Sequence, residues 1–149
     1  MNHERRNPDR GGTLARGSRR LLIFGSIATA GVAVWLMSVI AFVLPAHDPA
    51  HLPFWRIVLL GLLAFSALSA AWLMRGPRST TLKWSLRVAS AVAMAAGLTG
   101  LAQMMARANQ GGDFEGYIVL MGIVLIGHGA AAALDTLVSA RGLRSPASC

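Results

Sequence analysis

The sequence predicts an all-α integral membrane protein: a four-transmembrane-helix bundle with both termini in the cytoplasm and a basic cytoplasmic N-terminal tail. Three observations carry this expectation. Only 13% of the 149 residues are charged, about half of the roughly 25% usual for soluble domains. Four apolar stretches follow one another, each with the roughly 20 residues needed to cross about 30 Å of hydrocarbon at 1.5 Å per residue. Basic residues gather at alternate connections between those stretches, which is a bilayer pattern.

Residues 1–20 hold Arg5, Arg6, Arg10, Arg16, Arg19 and Arg20 against Glu4 and Asp9, with Gly11, Gly12 and Gly17 and no apolar periodicity. They read as a solvated basic tail. Ser18-Arg19-Arg20-Leu21-Leu22 has the look of a twin-arginine export signal, and Leu44-Pro45-Ala46 that of a cleavage site. The apolar run over 21–44 is longer than a signal core of roughly 7–15 residues, and three more runs follow, so it is read as a retained first helix.

The second span covers about 54–74. Pro53 stands just before it, and Gly76-Pro77 is the breaker pair expected after a helix end. The third covers about 84–105, the fourth about 117–140, and 141–149 forms a cytoplasmic C-terminal tail. Trp55, Trp84 and Tyr117 lie at span ends, where amphipathic rings settle among headgroups.

Orientation follows from Lys and Arg. The N-terminal tail carries six Arg, the middle connection carries Arg75, Arg78 and Lys83, and the C-terminus carries Arg141 and Arg144. The other two connections, 45–53 and 106–116, hold only Arg107 between them. Positive-inside places the tail, the middle connection and the C-terminus in the cytoplasm, which closes only with an even number of spans. The predicted location is the inner (plasma) membrane, as a multi-pass protein. Lys83 is the sole lysine among 14 basic residues, and with abundant Ala and Gly this suggests a GC-rich, bacterial genome.

The net charge of +8 is explained by topology and by anionic lipid headgroups rather than nucleic acid, so membrane lipid is an expected partner and nucleic acid is not. Cys149 is the only cysteine, which excludes an internal disulfide, a Cys-pair metal site and a thiol relay.

Hydrocarbon gives helices no hydrophobic reason to associate, so small residues and a few polar links must hold the bundle. The third span offers Ser85, Ala89, Ala93 and Gly97 at steps of four. The fourth offers Gly129 and Ala133 in the same spacing, and the second Ser66/Ala70 and Ala67/Ala71. On the fourth span Tyr117, Met121, His128, Ala132 and Asp135 share one face, which should point inward or at a partner because ionisable groups at depth avoid lipid. Arg87 lies at about the same depth as Asp135, from which an Arg87–Asp135 ion pair between adjacent helices is predicted.

His128 stands between Gly127 and Gly129, which clear space beside the imidazole of the kind a haem or chlorophyll macrocycle needs for its metal to be ligated. The plainer alternative is a neutral buried histidine bonded to a neighbouring carbonyl, to Thr99 or to a serine. In the first outer connection His47-Asp48-Pro49-Ala50-His51 places two imidazoles and a carboxylate within five residues. Pro49 and Pro53 deny it the regular helix that metal ligation at this spacing would use, so it is read as a polar interfacial turn. Asp113, Glu115 and Arg107 are read as ordinary surface charge.

No enzyme is predicted. There is no Ser-His-acid constellation, no carboxylate pair at depth and no thiol pair such as four-helix disulfide oxidoreductases use. Small multidrug carriers also have four helices, but their carboxylate lies in the first, which here has no acid. The leading expectation is a non-catalytic accessory or scaffold subunit of a larger membrane assembly, of respiratory or photosynthetic type, with other membrane subunits as partners. Behind it stand a tetrapyrrole-binding subunit using His128 and a small proton-coupled carrier or channel using Asp135 and His128.

Overall fold

The structure is a computed structural model, and it describes residues 9–43, 50, 52–76, 79–110 and 116–142. Four long helices make up these residues: α1 (Asp9–Ser38), prolonged by a π-helical turn over Val39–Val43, α2 (Leu52–Arg75), α3 (Thr80–Asn109) and α4 (Gly116–Gly142). All four are long and apolar enough to cross a membrane, and no strand occurs among the described residues.

The helices form a ring in chain order, with α4 closing it against α1. Cross-contacts fix their directions. Ser18 near the start of α1 meets Asp135 near the end of α4, while Trp35 at the far end of α1 meets Tyr117 at the start of α4, ring centres 5.8 Å apart. Trp55 at the start of α2 also meets Tyr117, at 6.1 Å, and Trp72 near its end meets Asp135. Hence α1 and α3 run one way and α2 and α4 the other. Arg16, Arg19, Arg20, Arg75, Lys83 and Arg87 share one end of the bundle, called the basic end below, and the Trp35–Tyr117–Trp55 cluster lies towards the other.

Buried positions recur at alternating steps of three and four. They are Leu62, Phe65, Ser69 and Trp72 on α2, Leu86, Ser90, Ala93 and Gly97 on α3, and Met121, His128, Ala132 and Asp135 on α4. This is the spacing of a bundle seam, in which each inward side chain seats between residues of facing helices. Two apolar clusters result: Leu22, Phe65, Trp72, Leu86, Ala93 and Ala132 towards the basic end, and Ala33, Leu36, Leu62 and Met121 towards the aromatic end.

Helix ends depart from expectation where side chains act on the backbone. α3 starts at Thr80 rather than near residue 84 because Ser79 caps it, its hydroxyl accepting from the Leu82 N–H at 3.2 Å. α2 stops at Arg75, followed by Gly76 at φ 66, a left-handed conformation that glycine adopts at little cost. The largest difference is α1, which begins at Asp9, inside the segment expected to be a solvated tail. Ser18, one turn before the buried Leu22, extends the inward stripe and is itself buried. Arg19 donates to the carbonyl of Leu73 at 2.7 Å, satisfying one of the last carbonyls of α2. Those tertiary bonds fix the turn that follows Gly17, a residue of weak helix propensity.

Candidate functional site

His128 is the most enclosed ionisable group among the described residues, 1% exposed. Three hydroxyls surround its ring. Thr29 Oγ1 lies 2.7 Å from Nδ1, while Ser69 Oγ at 2.9 Å and Ser26 Oγ at 3.2 Å lie against Nε2. A hydroxyl can donate or accept, so a neutral imidazole is satisfied here in either tautomer. The Phe65 ring covers it, centroids 4.2 Å apart and planes tilted by 33°. α1, α2 and α4 all meet at this residue. Gly25 of α1 makes the approach feasible, since a Cβ there would stand 3.0 Å from the His128 Cα and 3.1 Å from its Cδ2.

Thr99, weighed as a partner for this histidine, is exposed and donates to the carbonyl of Ala95 instead. The flanking glycines serve different ends from those the sequence suggested. Gly129 lies against α3, where a Cβ would sit 2.9 Å from the Ser90 carbonyl and 2.6 Å from Met94 Cγ, while a Cβ on Gly127 meets nothing within 4 Å. A metalloporphyrin or chlorophyll would need a ring nitrogen of His128 pointing at open space, and both are already engaged inside the bundle. As arranged, the residue does not fit a tetrapyrrole ligand. Among the described residues no cluster of three or more His, Cys, Asp or Glu could hold a metal ion. His47, Asp48 and His51, like Asp113, Glu115 and Cys149, lie outside the described residues.

Two turns towards the basic end, Asp135 is 6% exposed. The Ser18 hydroxyl donates to Oδ1 at 2.8 Å and the Trp72 indole N–H donates to Oδ2 at 2.7 Å. The predicted ion pair with Arg87 is absent. Arg87 Nε instead donates to Thr136 Oγ1 at 3.3 Å and Nη2 to the Thr136 carbonyl at 3.5 Å. The cause is azimuth. Successive residues on an α-helix turn by about 100°, so Thr136 faces α3 while Asp135 faces α1 and α2. The depths agree and the directions do not.

His128 and Asp135 share the inward face of α4 without forming a pair, since seven residues of helix, roughly 10 Å at 1.5 Å each, lie between them. Ala132 and Leu22, both fully buried, fill the interval. No continuous polar route joins the two groups among these contacts.

The small residues of α3 and α4 form a close helix crossing, in a register different from the steps of four counted in the sequence. Ser85 is exposed and stands outside it, Ala89 and Ala133 flank it half-buried, and Ala93, Gly97 and Gly129 lie within it. A Cβ on Gly97 would stand 2.7 Å from the carbonyl oxygen of Gly122, a glycine that the sequence reading passed over. On α2, Ser66 is half-buried and its hydroxyl has no hydrogen-bond partner among the described residues, while Ala67 and Ala70 are exposed.

On the outside of the bundle, α1 and α4 leave two adjoining grooves of about 430 and 370 Å³, both touching Ala28 and Val124. Gly25, Ala28 and Gly31 of α1 and Gly127, Ala130 and Ala131 of α4 are among the residues that line them. Phe24 and Leu120 stand along the edges, 69% and 59% exposed. Comparisons with protein-family models, curated proteins and solved structures find no match.

Proposed function

We propose that this chain is a membrane-embedded, non-catalytic subunit that packs against a larger membrane assembly. Its four helices all cross the inner (plasma) membrane of a bacterium with both termini on the cytoplasmic side. The observation that carries the reading is the use made of the buried polar groups. Both nitrogens of His128 and both oxygens of Asp135 are spent on bonds within the bundle. Buried polar atoms that are fully satisfied hold a core in one arrangement, and that is the role these bonds support. What the interior does not offer, the exterior does. The α1–α4 grooves have small residues on two helices, the composition that lets another membrane helix approach closely.

The test is purification in mild detergent followed by native mass measurement. The wild-type chain is expected in a stoichiometric complex with a larger membrane partner. Gly31→Leu and Gly127→Leu, at sites where an added Cβ meets nothing of this chain within 4 Å, should dissociate that complex while leaving the isolated subunit folded. A lone monomer or homodimer from the native membrane would overturn the proposal.

A further inference from the structure

Lys83 and Arg87 sit four residues apart at the start of α3, hence one above the other on the same face. Like charges in this relation repel, and each would ordinarily be offset by an acid. The first turn of α3 has no acidic residue, and no ion pair to either cation exists among the described residues. Asp135, the one carboxylate whose side chain is described, is turned to the other side of α4. Both cations are half-buried. Arg87 has five N–H donors, and its two contacts to Thr136 are long, at 3.3 and 3.5 Å, which leaves most of the fork for an outside acceptor.

The surroundings select the kind of anion. The Arg87 guanidinium carbon lies 5.5 Å from the centre of the Trp84 ring. Trp84, Val88 and Val92 follow at steps of four, 59%, 60% and 62% exposed, and so make an outward apolar ridge that runs from the two cations along α3. A soluble anion would use the charges and ignore that ridge. A phospholipid uses both, with its phosphate on the fork and an acyl chain along the ridge.

We infer that Lys83, Arg87 and Trp84 form a binding site for the phosphate group of an anionic phospholipid in the leaflet facing the basic end. The lipid supplies the counter-charge that the described residues do not, and the Arg–phosphate contact is of the bidentate type that guanidinium favours over ammonium. This inference rests on the reading of the helices as membrane-spanning.

Delipidated protein in detergent is titrated with phosphatidylglycerol, phosphatidylcholine or inorganic phosphate, and bound lipid is counted by native mass spectrometry beside the thermal midpoint. Wild type should bind one phosphatidylglycerol in preference to phosphatidylcholine and be stabilised by it. Arg87→Gln should weaken that binding by about fivefold, from the interaction of one basic side chain with an anionic membrane surface. Lys83→Glu is the decisive variant. It places an acid four residues before Arg87, the favourable order for a helical ion pair. The lipid-free protein should then be as stable as wild type or more so, while the preference for phosphatidylglycerol disappears. Equal binding by wild type and Lys83→Glu would overturn the inference. So would equal stabilisation by inorganic phosphate, which would show a soluble-anion site. A chain that stays in solution without detergent would instead sink the membrane reading, a different outcome from either.

Discussion

Among the described residues no cation bonds to Asp135, a carboxylate at 6% exposure held by the Ser18 and Trp72 donors, and this separates two roles that substitution can distinguish. Asparagine can accept from the Trp72 indole through its carbonyl and donate to the Ser18 hydroxyl through its amide, so Asp135→Asn should change bundle stability by no more than about 1 kcal/mol. Leucine strands the indole N–H, at a cost of about 1–3 kcal/mol when left buried and unpaired, while the Ser18 hydroxyl can turn to the Ala15 carbonyl at 3.1 Å. Reversible unfolding of the two variants in micelles measures the difference, and equal damage from both would mean that the charge itself matters. At this scale the inward direction of His128 and Asp135 was legible from the period of one helix. Their partners were not: Thr29, Ser26, Ser69, Ser18 and Trp72 lie on two other helices, and nothing local to α4 encodes which hydroxyl or indole arrives there. Arg87 shows the same limit. Rise along the axis set its depth correctly, but the choice between Asp135 and Thr136 is set by the order of helices around the ring.

Between elements, the closest approach is made by glycines that lack the atoms to collide. A methyl on Gly97 would come within 2.7 Å of the Gly122 carbonyl, which is backbone and cannot rotate away. Gly97→Ala should therefore push α3 and α4 apart and destabilise the bundle by about 1–3 kcal/mol, the usual range for overpacking. Gly61→Ala is the control. It sits exposed on α2 with nothing within 4 Å of the added carbon, and should be neutral or slightly stabilising through helix propensity. Thermal unfolding of both variants in one detergent is the measurement, and a Gly97→Ala protein as stable as Gly61→Ala would remove the crossing from the account. The existence of all four helices was legible because each needs only local apolar length. Their ends were less so. The Ser79 cap lengthens α3 by one local bond. The start of α1 is tied down at Ser18 and Arg19 by Asp135 and Leu73, residues far along the chain.

At the scale of the whole molecule, the ring order and antiparallel directions put Arg16, Arg19, Arg20, Arg75, Lys83 and Arg87 at one end, and Arg56 and Arg107 near the start of α2 and the end of α3. If those ends face opposite sides of a membrane, the side of each follows from the positive-inside bias. Cys149 is the only native cysteine, so a Cys149→Ser background gives clean reporters. In intact cells, Gly17→Cys and Thr80→Cys, both exposed at the basic end, should resist an impermeant maleimide and react once the membrane is opened. Gln110→Cys, exposed at the far end, should react without opening. Ser18→Cys should stay protected in the folded protein under both conditions, because the site is 2% exposed and packed on α4 although its neighbour Gly17 is open. The pairing of Gly17 with Thr80 is the sensitive comparison. Two complete crossings lie between them if α1 and α2 both traverse the membrane, and reaction of these two sites from opposite sides would mean that one of those helices does not.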